Sequence, residues 1–313
     1  MGISQTQNKL RAVRNNVSQI VVGMDDVIDT LIIALVSEGH ILLEGKPGVG
    51  KTTVAKVFAN TIGGKFQRIQ MTPDMLPNDV LGVNIFDPET RKWELRRGPI
   101  FGNVILIDEL NRASPKVQSA FLEVMQERQV TIEGTSLPLE APFIVIATQV
   151  PYGEAGTYPL TTVQIDRFAY RVNMQYPSTE NEIEILRRMD MLDTINVKPI
   201  LNRDDIISLQ EQVKMITINE KLNKYVAEVV NWLRASRYVR AGPGPRASIS
   251  LMKGCRVKAL IENRDYVIPD DVKFLADKAL SHRMELTPQA RADEVSTESL
   301  VEEALKTVEV PKD

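Results

Sequence analysis

Gly45-Lys46-Pro47-Gly48-Val49-Gly50-Lys51-Thr52 sets glycines, a lysine and a hydroxyl at the spacing of a phosphate-cradling loop. Glycines let the backbone curl until its N–H groups aim at phosphate oxygens, and a helix starting there adds positive potential. Lys51 then reaches the outer phosphates, and the Thr52 hydroxyl serves a magnesium ion. Pro47, Val49 and Thr53 complete the loop positions expected against the ligand, ATP or ADP with Mg2+. Asp108-Glu109 closes the apolar run Val104-Ile105-Leu106-Ile107. A strand that delivers this pair beside the loop puts Asp108 on the magnesium, directly or through water. It leaves Glu109 to activate the water that attacks the γ-phosphate. Phosphoryl transfer between small molecules does not need that second carboxylate; hydrolysis does.

These residues meet only if strands and helices alternate around them. His40-Ile41-Leu42-Leu43-Glu44 is a short apolar run stopped by Gly45, and Lys65-Phe66-Gln67-Arg68-Ile69 is a second strand candidate. Residues 103–107 and 143–147 are continuous β-branched runs, the pattern of strands buried on both faces. Residues 169–174 supply a fifth. Helices are expected over 5–16, 27–36 and from Pro115 with Ser114 as its cap, where Val117, Ala120, Phe121, Val124 and Met125 form one apolar stripe. Asp87-Pro88-Glu89-Thr90 between two strand-like runs predicts a hairpin, and Glu133-Gly134 within 129–139 predicts another. After Tyr176-Pro177 helical periodicity takes over, with helices expected after Ser178-Thr179 and over 219–237, 246–262 and 269–282. The expected architecture is α/β: a five-stranded parallel sheet sandwiched by helices, with hairpin insertions, over residues 1–177. An all-α domain over 178–313 follows.

Composition narrows the function classes. The 313 residues suit two domains, and 43% hydrophobic with 25% charged residues is ordinary for a soluble globular chain. One cysteine, Cys255, excludes an internal disulfide framework and reads as helix packing. His40 and His282 are too far apart in sequence for metal-ligand spacing. A net charge of -3 gives no chain-wide basic field for a nucleic-acid backbone. The longest apolar stretch is broken by Asp29 and Thr30, too short for a membrane span. The opening Met1-Gly2-Ile3-Ser4-Gln5-Thr6 fits a myristoylation pattern, and Asn16-Val17-Ser18 fits a glycosylation sequon. Both are read as chance matches, and a cytoplasmic location is the expectation.

Further motifs carry a resemblance. Met71-Thr72-Pro73-Asp74-Met75-Leu76-Pro77, Arg97-Gly98-Pro99-Ile100-Phe101, Asp108-Glu109-Leu110-Asn111-Arg112-Ala113 and Met125-Gln126-Glu127-Arg128-Gln129-Val130 occur in order. Gly156-Thr157-Tyr158-Pro159-Leu160, Asp166-Arg167-Phe168, Pro245-Arg246-Ala247 and Asp265-Tyr266-Val267-Ile268-Pro269 follow. With the phosphate loop, they make the chain similar, over almost its whole length, to the MoxR-type AAA+ ATPases.

That resemblance implies an AAA+ P-loop core with a helical lid, and a homo-oligomeric ring, a hexamer. Each nucleotide would then sit at a subunit boundary. Arg167 becomes the arginine finger reaching a neighbour's γ-phosphate, and Arg246 the lid arginine that reports nucleotide state. Val22-Gly23 resembles the segment beside the adenine. The family commonly reads Ala-Thr-Gln-Asn-Pro after the fourth strand, with the asparagine near the attacking water. Here the run is Ala147-Thr148-Gln149-Val150-Pro151, so either Gln149 or Thr148 substitutes or the contact is missing, and Tyr152-Gly153-Glu154 also departs. The implied partner is a protein client, a von Willebrand factor A-domain protein acting in trans. Two other readings stay open: a nucleotide-controlled binding module with very slow turnover, and a nucleic-acid-stimulated ATPase. Phe86 and Trp93 of the first hairpin are expected against either a client or a neighbouring subunit.

Overall fold

Alternate residues of each central strand enter different cores, which is why those runs are apolar without a break. Ile105 and Ile107, Val145 and Ala147, and Leu42 face one core; Val104 and Leu106, Ile144 and Ile146, and Ile41 and Leu43 face the other. A strand covered on both sides buries every side chain, and each large aliphatic one contributes roughly 1.5–3 kcal/mol. The computed structural model describes residues 3–150, 156–188 and 197–311, with side chains from Asn8 onward. Met1-Gly2 of the myristoylation pattern, Pro151 and Tyr152-Gly153-Glu154 lie outside the described residues.

In chain order the strands are β1 (Ile41–Gly45), β2 (Phe66–Gln70), β3 (Gly82–Asp87), β4 (Lys92–Arg97), β5 (Val104–Asp108) and β6 (Gln129–Ile132). Then come β7 (Thr135–Pro138), β8 (Ile144–Thr148), β9 (Tyr170–Met174), β10 (Val239–Ala241) and β11 (Glu285–Leu286). Five of them form the main sheet in the order β2-β5-β8-β1-β9, all parallel. These are the five runs expected as strands. The helices Asp25–Val36, Lys51–Thr61 and Pro115–Glu127 cover its faces. In such a sheet the loops leaving the C-terminal strand ends form the ligand crevice. The phosphate loop leaves β1, Asp108 ends β5, and Thr148 ends β8 between them.

Both hairpins are present. β3 pairs with β4 so that Phe86 opposes Trp93, their rings edge to face at 5.5 Å and both exposed. β6 and β7 turn through Glu133 and Gly134, both at positive φ, the left-handed pair that a two-residue hairpin needs. Asn84 donates to Glu133 at 2.8 Å and ties one hairpin to the other.

The opening helix Ile3–Ile20 is amphipathic and longer than its polar sequence suggests: Leu10, Val13 and Val17 are buried. Ser114 sits at the start of its helix without a side-chain cap bond, so Pro115 at the first position sets that start. Ser178 does cap, accepting from the Asn181 amide. The C-terminal part is helical as expected, with helices Arg203–Lys214, Glu220–Ala235, Pro245–Ile261, Pro269–Leu280 and Thr297–Thr307. It also holds the short antiparallel pair β10–β11, which the helical periodicity concealed. Cys255 is buried in Pro245–Ile261, where burial pushes its thiol pKa up, an inert packing position. No helix among the described residues is long and apolar enough to cross a membrane.

Both histidines are buried structural groups. Val145 donates to His40 Nδ1 at 3.0 Å, so Nε2 carries the proton and donates to the Met125 carbonyl at 2.9 Å. Burial lowers the His40 pKa to about 4, and burial with Arg283 nearby holds His282 well below its ordinary value. Both rings stay neutral in the fold while the unfolded chain takes up protons near pH 6.5. Stability is therefore full above pH 6.5 and falls as the pH drops toward 4. For His40 alone we expect a loss of about 2 kcal/mol between pH 7 and pH 5, above the range where carboxylates titrate. Urea unfolding at those two pH values checks this; identical midpoints would contradict it.

Candidate nucleotide site

β1 stops at Gly45 because the chain must pass β9 at close range: a Cβ on Gly45 would lie 2.5 Å from the Met174 carbonyl oxygen. Gly48 and Gly50 take φ of 82° and 87°, and Gly50 is the N-cap of Lys51–Thr61. A side chain on Gly48 would meet nothing within 4 Å, so glycine is needed there for its backbone conformation and not for space. The first amides of a helix have no partner within it, and here they follow the loop, the arrangement that attracts an anion. Lys51 Nζ donates to the Gly45 and Lys46 carbonyls at 2.6 and 3.0 Å. Partial burial lowers its pKa, and Asp108 and Glu109 oppose that shift.

Gly45, Pro47, Gly48, Val49, Gly50, Lys51, Thr52 and Thr53 line one cleft of about 350 Å³ together with Asp108, Glu109, Thr148 and Gln149. Asp108 is 5% exposed and accepts three side-chain donors. The Thr52 hydroxyl and Arg68 Nε reach Oδ2 at 3.3 and 2.6 Å, and the Thr148 hydroxyl reaches Oδ1 at 3.3 Å. One hydroxyl and one carboxylate oxygen side by side are hard oxygen donors of the kind magnesium takes. Among the described residues no group of three or more His, Cys, Asp or Glu converges. The rest of a magnesium shell would come from phosphate oxygens and water.

Glu109 adopts φ 57° and ψ 48°, a left-handed conformation that is costly for a glutamate. Its amide donates to the Thr148 hydroxyl at 2.9 Å, and its carboxylate meets Arg112 Nε at 2.6 Å. Thr148 thus positions both acidic residues from the neighbouring strand β8. Gln149 turns its amide to Glu44 at the end of β1. Val150 is buried, and its backbone is held by both ends of the Asn111 amide at 3.0 and 3.2 Å. Arg68, Asn111, Arg112 and Glu44 were not singled out as site residues from sequence, although Asn111 and Arg112 stood inside a quoted motif.

A second, apolar cleft of about 180 Å³ adjoins the first through Gly48, Val49, Gly50 and Thr53. Val22 lines it with Ile20, Val21, Met24, Pro177 and Ile185. Gly23 provides the turn at φ 73° beneath Asn181 and does not line it. The apolar character of 20–24, with Pro177 at the end of the sheet region, was the available signal.

Arg167 and Arg246 lie outside both clefts. Arg246 pairs with Asp166 at 2.8 Å, and Arg283 meets the same carboxylate at 3.1 Å. Arg283 also donates to the Asp166 and Phe168 carbonyls, and burial pulls its pKa down to about 10. The segment carrying Arg167 is thereby strapped to the C-terminal helices. The Arg167 Nε is buried and has no hydrogen-bond partner among the described residues.

Comparison with known proteins agrees with this geometry. A family model described as "ATPase family associated with various cellular activities" matches residues 40–170, and an AAA lid domain model matches 233–304. The uncharacterized protein YeaC of Bacillus subtilis is 43% identical over 297 residues, 95% of this chain and 93% of that one. Chaperone MoxR1 of Mycobacterium tuberculosis is 41% identical over 320 residues, covering 99% and 85%. A crystal structure of a candidate ATPase from Cytophaga hutchinsonii superposes with a TM-score of 0.93 at 39% identity, covering 99% and 97%. Sequence motifs, sheet order and relatives converge, and the chain belongs to the MoxR family of AAA+ ATPases.

Proposed function

We propose that the chain binds ATP with Mg2+ across the two adjoining clefts and hydrolyses it. The observation that carries this is the convergence of Lys51, Thr52, Asp108 and Glu109 on one cleft at the start of a helix. The loop amides and Lys51 would hold the phosphates, the apolar cleft containing Val22 the base, and Thr52 and Asp108 the magnesium. Bound magnesium supplies charge neutralisation on the phosphate oxygens; Glu109 then directs a water in line with the bond that breaks. The cycle runs in a homo-oligomeric ring, a hexamer, with Arg167 completing a neighbour's site and Arg246 coupling the lid to nucleotide state through Asp166. The work done is remodelling or maturation of a partner protein, an A-domain protein in trans; a relative named as a chaperone supports that direction.

A steady-state phosphate-release assay tests the reading: release above background in Mg2+ that stops with EDTA is expected. Lys51→Ala is expected to weaken ATP binding about 10²-fold, since a charge-assisted contact to phosphate is lost. Unchanged affinity by titration calorimetry would place the nucleotide elsewhere.

One set of contacts favours a slower machine. Glu109 is engaged by Arg112, Gln149 by Glu44, and Val150 has no polar side chain. A nucleotide-controlled binding module with slow turnover follows if those pairs stay closed. Magnesium-dependent binding without release above background would select that reading.

A further inference from the structure

The carboxylate assigned to magnesium already has a cation on it. Arg68, on the edge strand β2, donates from Nε to Asp108 Oδ2 at 2.6 Å and from Nη2 to Gln70 at 3.0 Å. In register Gln70 stands opposite Asp108 and Arg68 opposite Leu106, so the arginine reaches forward along the sheet edge into the cleft that it lines. Asp108 Oδ2 is the oxygen that Thr52 touches as well. A magnesium ion on Thr52 and Asp108 must use that oxygen, or a water bound to it, and Arg68 occupies the same lone-pair region. Lys51 does not relieve the competition, because its ammonium is turned to the Gly45 and Lys46 carbonyls. A carboxylate this buried needs a counter-charge, and Arg68 provides it. The arginine side chain is itself 50% exposed, so it can leave for water at modest cost.

We propose that Arg68 is a displaceable counter-ion of Asp108 that holds the carboxylate in place and resists magnesium until a polyphosphate arrives to share the metal. The idea rests on the nucleotide reading and deepens it: magnesium enters with the nucleotide and not before it. Without phosphate oxygens the metal must break the ion pair for two protein ligands; with them, extra ligands drive the exchange. Arg68 is a positioning residue in this scheme.

The test is Mn2+ titrated into protein saturated with ADP, free metal being followed by electron paramagnetic resonance, beside ADP titrations in EDTA. Arg68→Gln is expected to bind Mn2+ about five- to tenfold more tightly than wild type, the worth of one partly exposed charged contact. Its ADP affinity in EDTA is expected to stay within about twofold, and Arg68→Lys to show a smaller metal shift. Mn2+ affinity that is unchanged or weaker in Arg68→Gln overturns the proposal. So does a parallel loss of ADP affinity in EDTA, which would make Arg68 a phosphate ligand. Wild-type protein that binds no ADP under either condition would instead remove the nucleotide reading itself.

Discussion

Glu109→Gln is expected to lower steady-state phosphate release about 10²- to 10⁴-fold, the range for loss of a positioned general base, while ATP affinity stays within about threefold. The backbone that presents the carboxylate is set by contacts that the substitution leaves alone. Its amide donates to Thr148, and the left-handed turn leads into the short helix Leu110–Arg112. Glutamine has the same length, so the loss isolates proton acceptance from shape. Equal release by both proteins, above background, would remove Glu109 from the reaction. Equal release at background would select the binding-module reading, with turnover absent from the start. A variant that retains ATP is also the form with which to capture a client, because the partner-bound state would persist.

Arg167→Ala should cost about 10³-fold or more in turnover if the guanidinium neutralises charge developing on the transferred phosphoryl group. Within its own chain Arg167 lies outside the nucleotide cleft, and among the described residues no ion pair engages it, so little thermal destabilisation is expected. Mixing supplies the decisive measurement. On the proposed ring, assemblies of Arg167→Ala alone and of Glu109→Gln alone should both be inactive. In mixed rings an Arg167→Ala subunit holds an intact Glu109, and a Glu109→Gln neighbour lends it an intact arginine. Random equimolar assembly restores roughly a quarter of the interfaces, so activity well above either parent is expected. Mixed rings confirmed by native mass spectrometry yet showing no recovery would place Arg167 in some role within its own subunit.

The strap beneath Arg167 gives that variant a physical context. Asp166 takes Arg246 and Arg283 from the C-terminal helices, while Arg283 and His282 hold the Phe168 carbonyl. Any change in the angle of those helices pulls on the residue next to Arg167. Asp166 itself is the C-cap of the capped turn Thr162–Ile165, its amide donating to the Thr162 carbonyl at 3.0 Å, so the pull acts on a short, hydrogen-bonded segment.

Much of this protein is written locally. The phosphate loop was legible because its geometry needs glycine at positive φ within a few residues, and only a few residue patterns meet that demand. The central strands β5 and β8 were legible because burial on both faces leaves no polar position before their ends, and that signal survives without knowing any neighbour. Asp108 followed from both, since a parallel sheet brings the C-terminal ends of its strands to one edge. Tertiary structure decided which side chains meet there. Arg68 reaches Asp108 across 40 residues, Gln149 reaches Glu44 across 105, and Arg283 reaches the Phe168 carbonyl across 115. Such pairs depend on strand order and register, which place β2 beside β5 and β8 between β5 and β1. An arginine carries the same charge wherever it sits, so its type alone cannot say which carboxylate it will find. Backbone chemistry is local and readable; the pairing of long charged side chains is a property of the assembled sheet.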